Sequence, residues 1–431
     1  MSPDPVPSDP AATAPALGER PLAVALAGMA ALGAAMGIGR FAFTPLLPMM
    51  LADGVVTLAG GSWLATVNYV GYLVGALACM ALPWLAPGTA RSWQGARLTR
   101  WGLAATVLLT CGMALPLPGA WPLLRAAAGV ASAVVFLNVS SWCMARLVAL
   151  GQPALGGLIF CGPGLGIVLT GLGIVLTGLS ASAMVSAHWR AAAGWAVFGL
   201  LCAVLCALVW PVVRGAAGPA AGAPGPASAR TTAPLAPGGR PARALLTLAY
   251  GLAGLGYIVT ATFLPVIARG VLPAGSPWPD LFWPVFGAGV ALGAALSTRT
   301  PAAWDRRWLL AGCYVLQAFS IGLGLAWPGV PGFALGSLLL GLPFTAITFY
   351  ALQEARRIWP AAGDSFAGLL TVAYGLGQIA GPPLVAWALH HAATPRQGFA
   401  HGLAMAAAAL GLGAAVLGAM AWRWPPQPEG T

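Results

Sequence analysis

The stretch "MGIGRFAFTPLLPMM", residues 36–50, places Arg40, Pro45 and Pro48 inside a long apolar run. If this run crosses a membrane, the arginine costs about 2.5–3.5 kcal/mol on insertion scales. Each proline also lacks a backbone N–H and therefore leaves one helix carbonyl without its partner. Free carbonyls at membrane depth are tolerated where they line a wet cavity or meet polar groups. The stretch therefore predicts a broken membrane helix beside a polar cavity.

The composition of the whole chain supports a membrane location for this stretch. Of its 431 residues, 59% are hydrophobic and 7% are charged, whereas about a quarter of the residues in soluble domains are charged. This composition is typical of a protein that crosses the lipid bilayer many times. The formal net charge of +11 is spread through short loops, so it does not form the basic face that nucleic-acid binding requires.

Apolar blocks of about 20 residues, the length that crosses a bilayer core, recur along the whole chain. The twelve blocks cover residues 22–50, 62–85, 98–116, 120–147, 154–178, 191–213, 244–268, 280–298, 308–328, 332–353, 365–389 and 398–422. We therefore predict an all-α integral membrane protein with twelve transmembrane helices in two six-helix halves. The predicted divisions are a disordered tail (1–21), the first half (22–213), a Gly/Pro/Ala-rich linker (214–243), the second half (244–422) and a short tail (423–431).

The placement of the arginines predicts the orientation in the membrane. An even number of helices puts both termini on one side, and 15 of the 20 arginines fall there against 3 on the other side. The remaining two, Arg40 and Arg125, lie within blocks. Because positive loops stay in the cytoplasm, we expect both termini to be cytoplasmic in a multi-pass inner (plasma) membrane protein.

Two internal sequence matches lie at nearly the same offset. "GIGRFAFTPLLP" (37–48) matches "GLGYIVTATFLP" (254–265) at an offset of 217, and "GLIFCGPGLG" (157–166) matches "GLLTVAYGLG" (368–377) at an offset of 211. The two matches join the first block to the seventh and the fifth to the eleventh, so they predict a duplicated six-helix unit. Parallel halves with the substrate between them are the architecture of the major facilitator fold.

Arg40 shares a helix face with Phe43 and Thr44, and the matching seventh block is interrupted by Gly254, Gly256 and Pro265. Interrupted helices at corresponding positions of two halves point to a transport site. We therefore predict that this face borders a substrate cavity. The alternative is a structural arginine bound to freed carbonyls or to a neighbouring helix. An unpaired membrane arginine also favours an anionic substrate.

Further polar and aromatic residues recur at helical spacing inside the blocks. Most lie three or four residues apart and so share a face, which predicts cavity lining for the set, although such residues also hold helices together. The set consists of Asn68, Tyr72, Asn138, Trp142, Tyr257, Thr260, Thr345, Thr348, Tyr374 and Gln378.

The acidic residues bear on energy coupling. None of the nine falls clearly inside a predicted membrane helix, although proton-coupled carriers often use a membrane carboxylate. Coupling to a proton or another ion would then need a different group. Arg125 lies near a block end, where it serves either as an interfacial anchor or in function. Gly162 and Pro163 predict a weak point in the fifth helix.

Several of these segments resemble known families. "GIGRFAFTPLLPMM" resembles the signature of YbfB/YjiJ-type transporters of the major facilitator superfamily, and "NYVGYLVGAL" (68–77) and "GLGQIAGPPL" (375–384) resemble the same group. "RAAAGVASA" (125–133) resembles a fourth-helix motif linked to proton coupling, and "GLIFCGPGLG" is similar to a fifth-helix motif of exporters.

The cytoplasmic loops compare unevenly with the superfamily pattern. The loop 86–100 lacks the acidic residue of the usual motif, which puts the usual charge-relay gating in doubt. "WDRRW" (304–308) is retained in the later loop. There the resemblance implies that Asp305 pairs with Arg306 or Arg307.

Together these observations predict a monomeric secondary active transporter that moves a small solute by alternating access. The fifth-helix resemblance favours efflux over import. A non-transporting sensor or scaffold on a transporter fold is the alternative from another class. An enzyme ranks third, because no nucleophile–base pair is visible. The cysteines lie inside apolar blocks without metal-site spacing, so we expect neither a metal nor a cofactor.

Overall fold

The computed structural model describes residues 20–85, 94–176, 191–215, 239–301, 303–359 and 363–425, and this part of the chain contains helices and no strand. A helix lies at the place of every predicted block. In chain order the helices are α1 (Pro21–Ala52), α2 (Leu58–Leu85), α3 (Gln94–Gly112), α4 (Trp121–Ala149), α5 (156–176), α6 (Ala191–Gly215), α7 (Gly239–Arg269), α8 (Trp278–Ser297), α9 (Arg306–Ala326), α10 (Val330–Ile358), α11 (Gly363–His390) and α12 (Pro395–Arg423).

Eleven of these helices are long and apolar enough to cross a membrane, so the all-helical membrane class is confirmed. The exception is α3, which is 19 residues long and includes Arg97 and Arg100 in its first two turns. These charges lower its mean hydropathy. The count of twelve crossings and the division into two six-helix halves therefore stay predictions.

The structure differs from the sequence prediction in two details. Helix α7 begins at Gly239, inside the predicted linker, because Pro241 is accepted in the first helical turn, where its missing N–H has no helical partner to lose. Acidic residues also lie within helices: Asp280 belongs to the first turn of α8 and Glu354 to the last turns of α10. The predicted tail 1–19 and most of the linker lie outside the described residues.

Helices α1–α6 pack mainly on one another, as do α7–α12, and the two groups meet through the pairs α1/α7, α2/α11 and α5/α8. Glycine allows the close approach of α5 and α8. A Cβ on Gly164 would lie 2.4 Å from the backbone nitrogen of Ala291, and one on Gly171 would lie 2.3 Å from the Pro284 ring. Small residues at membrane helix interfaces let backbones approach in this way.

The contact between α1 and α7 joins matching positions of the internal repeat. The Thr44 hydroxyl donates a hydrogen bond of 2.9 Å to the carbonyl of Ala261, 217 residues later. This separation equals the offset of the repeat. A contact between equivalent positions is what a two-fold axis produces in a symmetric pair. The contact therefore joins two positions that the sequence repeat aligns, and the duplication of a six-helix unit stays a prediction.

Exposed tryptophans mark both ends of the helix bundle. Aromatic side chains of this kind gather where a membrane meets water. At the face where α1 begins, called here the N-terminal face, the exposed tryptophans are Trp101, Trp210, Trp304, Trp308 and Trp422. At the opposite face they are Trp63, Trp278, Trp327 and Trp387.

Candidate functional site

Helix α1 is broken at Arg40. An α-helical segment (Pro21–Leu32) is followed by a π-helical segment (Gly33–Arg40), a turn at 41–42 and a second α-helical segment (Phe43–Ala52). Within the turn the amide of Thr44 donates to the carbonyl of Phe41 at 3.2 Å rather than to that of Arg40, its α-helical partner. π-Helical turns are rare and frequently occur at functional sites.

Arg125 of α4 satisfies the carbonyls that this break leaves free. Its Nη1 donates to Gly39 at 3.4 Å and its Nη2 to the Arg40 carbonyl at 3.2 Å. The guanidinium lies 4.9 Å from the centre of the Phe43 ring, and the Arg125 carbonyl accepts a bond of 2.8 Å from Asn68. At 2% exposure, Arg125 points to α1 and not to the membrane interface. It therefore has the carbonyl-binding role considered above for Arg40.

The side chain of Arg40 connects the two helix groups. Its Nη2 donates to the amide oxygen of Gln378 on α11, and Gln378 Nε2 donates to the Tyr257 hydroxyl on α7 at 2.7 Å. The guanidinium also lies 4.1 Å from the ring centre of Tyr72 and 5.2 Å from that of Tyr69, in the range of cation–π attraction. Arg40 is 3% exposed, and these contacts come from α2 and α11, one helix of each group.

Arg40, Tyr257 and Gln378 lie at one depth in the bundle. Each precedes the last residue of its helix (52, 269 and 390) by twelve residues, which corresponds to roughly 18 Å at 1.5 Å per residue. A bilayer core is about 30 Å thick. The three side chains therefore meet near the middle of the membrane.

Neither buried arginine of this region has an acidic partner among the described residues. The salt bridges in that part of the chain lie elsewhere, between Arg269 and Asp280 and among the charged residues at the ends of α9 and α10. The oxygens that contact Arg40 and Arg125 are neutral. A buried charge without an opposite charge is unfavourable, and an anion beside Arg40 would relieve it.

Aromatic rings form a wall next to Arg40. The Tyr374 ring is stacked between those of Tyr250 and Tyr257, with ring centres 4.7 Å and 5.7 Å away. The edge of Phe344 packs on Tyr257 at 4.9 Å. At the far end of the stack, the Tyr250 hydroxyl donates to Thr348 at 3.0 Å. We call Tyr250, Tyr257 and Tyr374 the tyrosine wall.

The site is sealed toward the opposite face and more open toward the N-terminal face. Between Arg40 and the opposite face, the Tyr69 and Thr262 hydroxyls share a hydrogen bond of 2.9 Å that joins α2 to α7, and both side chains are buried. Several side chains that lie at the level of Arg40 or between it and the N-terminal face are half-buried: Tyr72, Asn138, Trp142, Phe344, Thr345, Thr348 and Tyr374. Tyr250, Tyr257 and Gln378 in the same zone are buried.

The structure brings six of the predicted residues together: Arg40, Tyr72, Tyr257, Thr348, Tyr374 and Gln378. Other predicted residues lie in helix contacts. Phe43 packs on Arg125, Thr44 bonds to α7, and Asn68 bonds to α4. Asn138 donates to the Val134 carbonyl of its own helix at 2.8 Å, and Trp142, one turn away, packs against the core.

The two remaining predicted threonines differ in position. Thr345 is half-buried beside Phe344, and its hydroxyl has no partner in the described part of the chain. Thr260 lines a separate cleft of about 30 Å³ among α7, α9, α10 and α12, with Leu264, Ser320 and Phe333. Thr260 therefore does not join Arg40.

Helix α5 breaks where its glycine–proline pair predicts a weak point. Two α-helical segments, Gly156–Ile159 and Gly162–Leu176, are separated by a turn, and Pro163 lies in the first turn of the second segment. A Cβ on Gly162 would lie 2.2 Å from the Met29 carbonyl oxygen. The pair thus allows α5 to cross α1 closely, and its predicted gating role stays a prediction.

Of the two pairings predicted for Asp305 at the start of α9, the structure shows the one with Arg307. Asp305 accepts from Arg307 Nη2 at 2.7 Å and from its Nε at 3.0 Å, whereas Arg306 donates to the Pro301 carbonyl. Arg307 also lies 3.7 Å from the carboxylate of Glu354 on α10. Partial burial raises the pKa of Asp305, but the hydrogen bonds from Arg307 outweigh it and hold that pKa below its usual range.

Sequence reasoning missed Tyr69, Tyr250 and Phe344. Tyr250 precedes Tyr257 by seven residues, about two helical turns, so helical periodicity could have placed it on the same face. Tyr69 and Phe344 give no such signal, because an aromatic residue in an apolar block is usually part of the packing.

The fold and this mid-membrane site define a membrane transporter, and the comparisons with known proteins agree. The chain belongs to the family described as "Uncharacterised MFS-type transporter YbfB", whose model matches residues 32–418. The resemblance stated above is thereby confirmed.

Solved structures share the fold. A crystal structure of a point mutant of the nucleoside transporter NupG is similar with a TM-score of 0.66 and 14% identity, over 91% of this chain and 99% of that chain. A second NupG structure gives 0.64 and 13%, over 92% and 98%. No match is found among curated protein sequences.

Proposed function

We propose that this protein is a secondary active transporter that moves a small anionic solute by alternating access of two six-helix halves. The main support is Arg40, a buried cation without an acidic partner in the described residues, held at mid-membrane depth between helices of both groups. Substrate sites at the midplane between two repeats are typical of such carriers.

In the proposed mechanism the substrate anion takes the place of the Gln378 amide oxygen on Arg40. The bond between α1 and α11 then breaks, and the substrate becomes the link between the two groups. A ligand shifts a conformational equilibrium only by binding one state better than the other. Here the state with the Arg40–Gln378 bond intact binds the anion less well than a state in which that bond is broken, because only the second state leaves Arg40 free for the anion.

The bonds toward the opposite face act as the closed gate of this state. Two hydrogen bonds, from Thr44 to Ala261 and between Tyr69 and Thr262, join the helix groups between Arg40 and the opposite face. The half-buried side chains lie toward the N-terminal face. We place the N-terminal face in the cytoplasm because of the arginine bias in the sequence, so this state faces inward. Release outward would then follow separation of these two contacts.

The direction and the coupling ion belong to the same proposal. Efflux is favoured by the resemblance of the α5 segment to an exporter motif, with import as the alternative. No acidic side chain contacts Arg40 in the described residues, so a coupled proton would need a different group. The similar structures named above are of a nucleoside transporter, which makes neutral nucleosides the natural comparison substrates.

Counterflow in proteoliposomes tests the proposal. The purified full chain would be loaded with one unlabelled compound and assayed for accumulation of the same radiolabelled compound. The panel contains monocarboxylates, nucleosides and organic cations. We expect saturable counterflow for at least one anion, and its loss in Arg40→Gln.

The matched control is Arg299→Gln, the same chemical change at an exposed arginine. It should leave counterflow intact. Counterflow of a nucleoside or cation that survives Arg40→Gln would contradict the anion proposal but keep the transporter. Absence of counterflow for every compound, with folded protein, would favour a sensor or scaffold.

A further inference from the structure

Two other arginines of this chain show how its guanidinium groups hold carboxylates. Arg307 donates from Nε and Nη2 to the two carboxylate oxygens of Asp305 at 3.0 and 2.7 Å. Arg357 uses the same two nitrogens toward a glutamate, at 2.8 and 2.6 Å. The edge of a guanidinium that carries Nε and Nη2 therefore binds a carboxylate in both cases. On Arg40, the Nη2 of this edge donates to the neutral oxygen of Gln378, and the Nε has no partner in the described residues.

A carboxylate fits this half-filled edge better than the amide does. The planar fork of an arginine matches the two oxygens of a carboxylate, which adds a second charge-assisted bond and neutralises the cation. Arg125 does not offer a second fork to the ligand, because both of its Nη atoms bond to carbonyls of α1 and only its Nε has no partner in the described residues. The site therefore offers one fork, which fits one carboxylate.

The tyrosine wall adjoins the position of this carboxylate. Gln378 bonds to both Arg40 and Tyr257, so the wall begins one hydrogen bond away from the arginine. Tyr374, the central ring, has a neighbouring ring on each face but is only half-buried, so its uncovered surface lies at the ring edge. A flat ring that packs its face against such an edge gains more than its buried area alone provides.

The wall offers ring surfaces and few hydrogen-bonding groups. The hydroxyl of Tyr250 is used by Thr348 and that of Tyr257 by Gln378. A polyhydroxylated ligand would give up its bonds to water here without equivalent replacements, which is unfavourable. The wall therefore favours a flat apolar ring over a sugar or a nucleoside.

From these contacts we propose that the ligand is a monocarboxylate attached to an aromatic ring. Its carboxylate occupies the Nε and Nη2 edge of Arg40 in place of Gln378, and its ring packs face-to-edge against Tyr374. This inference rests on the proposed function of the same site and names the class of its substrate.

Binding of matched probes to the purified full chain tests the inference by titration calorimetry. Benzoate is compared with cyclohexanecarboxylate, which keeps the charge and loses the flat ring, and with benzamide, which keeps the ring and loses the charge. We expect benzoate to bind about fivefold more tightly than cyclohexanecarboxylate, from the contact between the two aromatic rings. Benzamide should bind more than about tenfold more weakly than benzoate, from the lost charge-assisted bonds.

Variants of one wall residue separate the ring from the fold. Tyr374→Phe keeps the ring, whereas Tyr374→Leu removes it. The ratio of benzoate to cyclohexanecarboxylate affinity should stay near its wild-type value in Tyr374→Phe and fall to about one in Tyr374→Leu. Because both probes are measured on one preparation, a reduced active fraction cancels from this ratio. Arg40→Lys, which keeps the charge but not the fork, should weaken benzoate in each background.

Each outcome bears on one of the two proposals. Equal affinities for the two carboxylates in the wild type, or an unchanged ratio in Tyr374→Leu, would overturn the ring assignment while an Arg40-dependent anion carrier stands. Benzoate that binds with the expected ratios but gives no counterflow would support the ligand class and contradict transport. Failure of both carboxylates to bind at millimolar concentration would overturn the inference.

Discussion

Two buried arginines of this molecule differ in what surrounds them. Arg40, between the helix groups, contacts the neutral amide of Gln378 and the rings of Tyr69 and Tyr72. Arg307, at the start of α9, lies against the carboxylates of Asp305 and Glu354. Both side chains are almost fully buried.

The difference shows that burial alone does not reveal the role of a membrane arginine. Arg307 has its counter-charges within the chain, and it also donates to the Met420 and Trp424 carbonyls at the end of α12. It therefore fastens three helix ends at the N-terminal face. The described residues contain no counter-charge for Arg40, so Arg40 is available to a ligand.

The largest loss of stability should come from substituting Arg307, the buried arginine that has acidic partners. Arg307→Met leaves the buried Glu354 without one of its cations, and removal of one partner of a buried pair typically costs about 3–5 kcal/mol. Glu354 keeps Arg357, so we expect the lower part of this range. Thermal unfolding in detergent would measure the loss.

Arg306→Met is the matched control for that substitution, because the neighbouring arginine donates only to the Pro301 carbonyl among its described hydrogen bonds. It should change the unfolding temperature little. An equal loss of stability in both variants would show that the ion pairs of Arg307 are not the cause.

The second effect is expected at Arg40, where substitution should change ligand affinity more than stability. Arg40→Gln removes a buried charge without an acidic partner, so the stability of the ligand-free protein should stay unchanged or rise. Affinity for an anionic substrate should fall about tenfold or more, because charge-assisted bonds are lost. Unfolding with and without ligand separates the two quantities. A stability loss as large as that of Arg307→Met would make Arg40 structural.

A smaller effect is expected at the gate between α1 and α7. Thr44→Val keeps the shape of the side chain and removes its hydrogen bond to Ala261, a change of about 1 kcal/mol. The equilibrium should shift toward the state that opens to the opposite face. Labelling of a cysteine introduced at Thr262 should become a few-fold faster.

Thr66→Val serves as the control for that measurement, since the Thr66 hydroxyl bonds only within its own helix, to Ser62 at 2.8 Å. Equal labelling rates in both variants and in the parent would show that the Thr44 bond does not hold the gate.

The smallest effect concerns pH. The pKa of Asp305 lies below its usual range because Arg307 stabilises the carboxylate. The stabilisation is fully present above the unfolded-state pKa of about 3.9 and is lost as the pH falls through the lower folded-state value. Asp305→Asn should therefore flatten the pH dependence of unfolding below about pH 4. Identical curves for both proteins would refute this contribution.

Sequence reasoning reached the class of fold and part of the site for a physical reason. Arg40 and Gln378 each stand out, because a polar side chain in an apolar block needs an explanation. Their bond joins residues 338 positions apart, and no local pattern encodes such a pairing. The repeat aligns Thr44 with Ala261, but the sequence alone does not predict that these two positions contact each other.

Other parts of the site depended on backbone geometry that the sequence does not specify locally. The prolines after Arg40 predicted free carbonyls, but the carbonyls that Arg125 satisfies are those of Gly39 and Arg40, before the turn. Their availability follows from the π-helical segment. Arg125 was considered as an interfacial anchor because its distance from the block end is visible in the sequence and its direction is not.

The bond between Thr44 and Ala261 has a consequence for ancestry. If the chain arose by fusion of two copies of one gene, its ancestor was a dimer in which this position faced itself. Any substitution there then altered both sides of the contact at once. After fusion the two copies could vary separately, so one could keep a hydroxyl donor while the other offered only a carbonyl. In such a history one copy could acquire a cation and the other an aromatic wall.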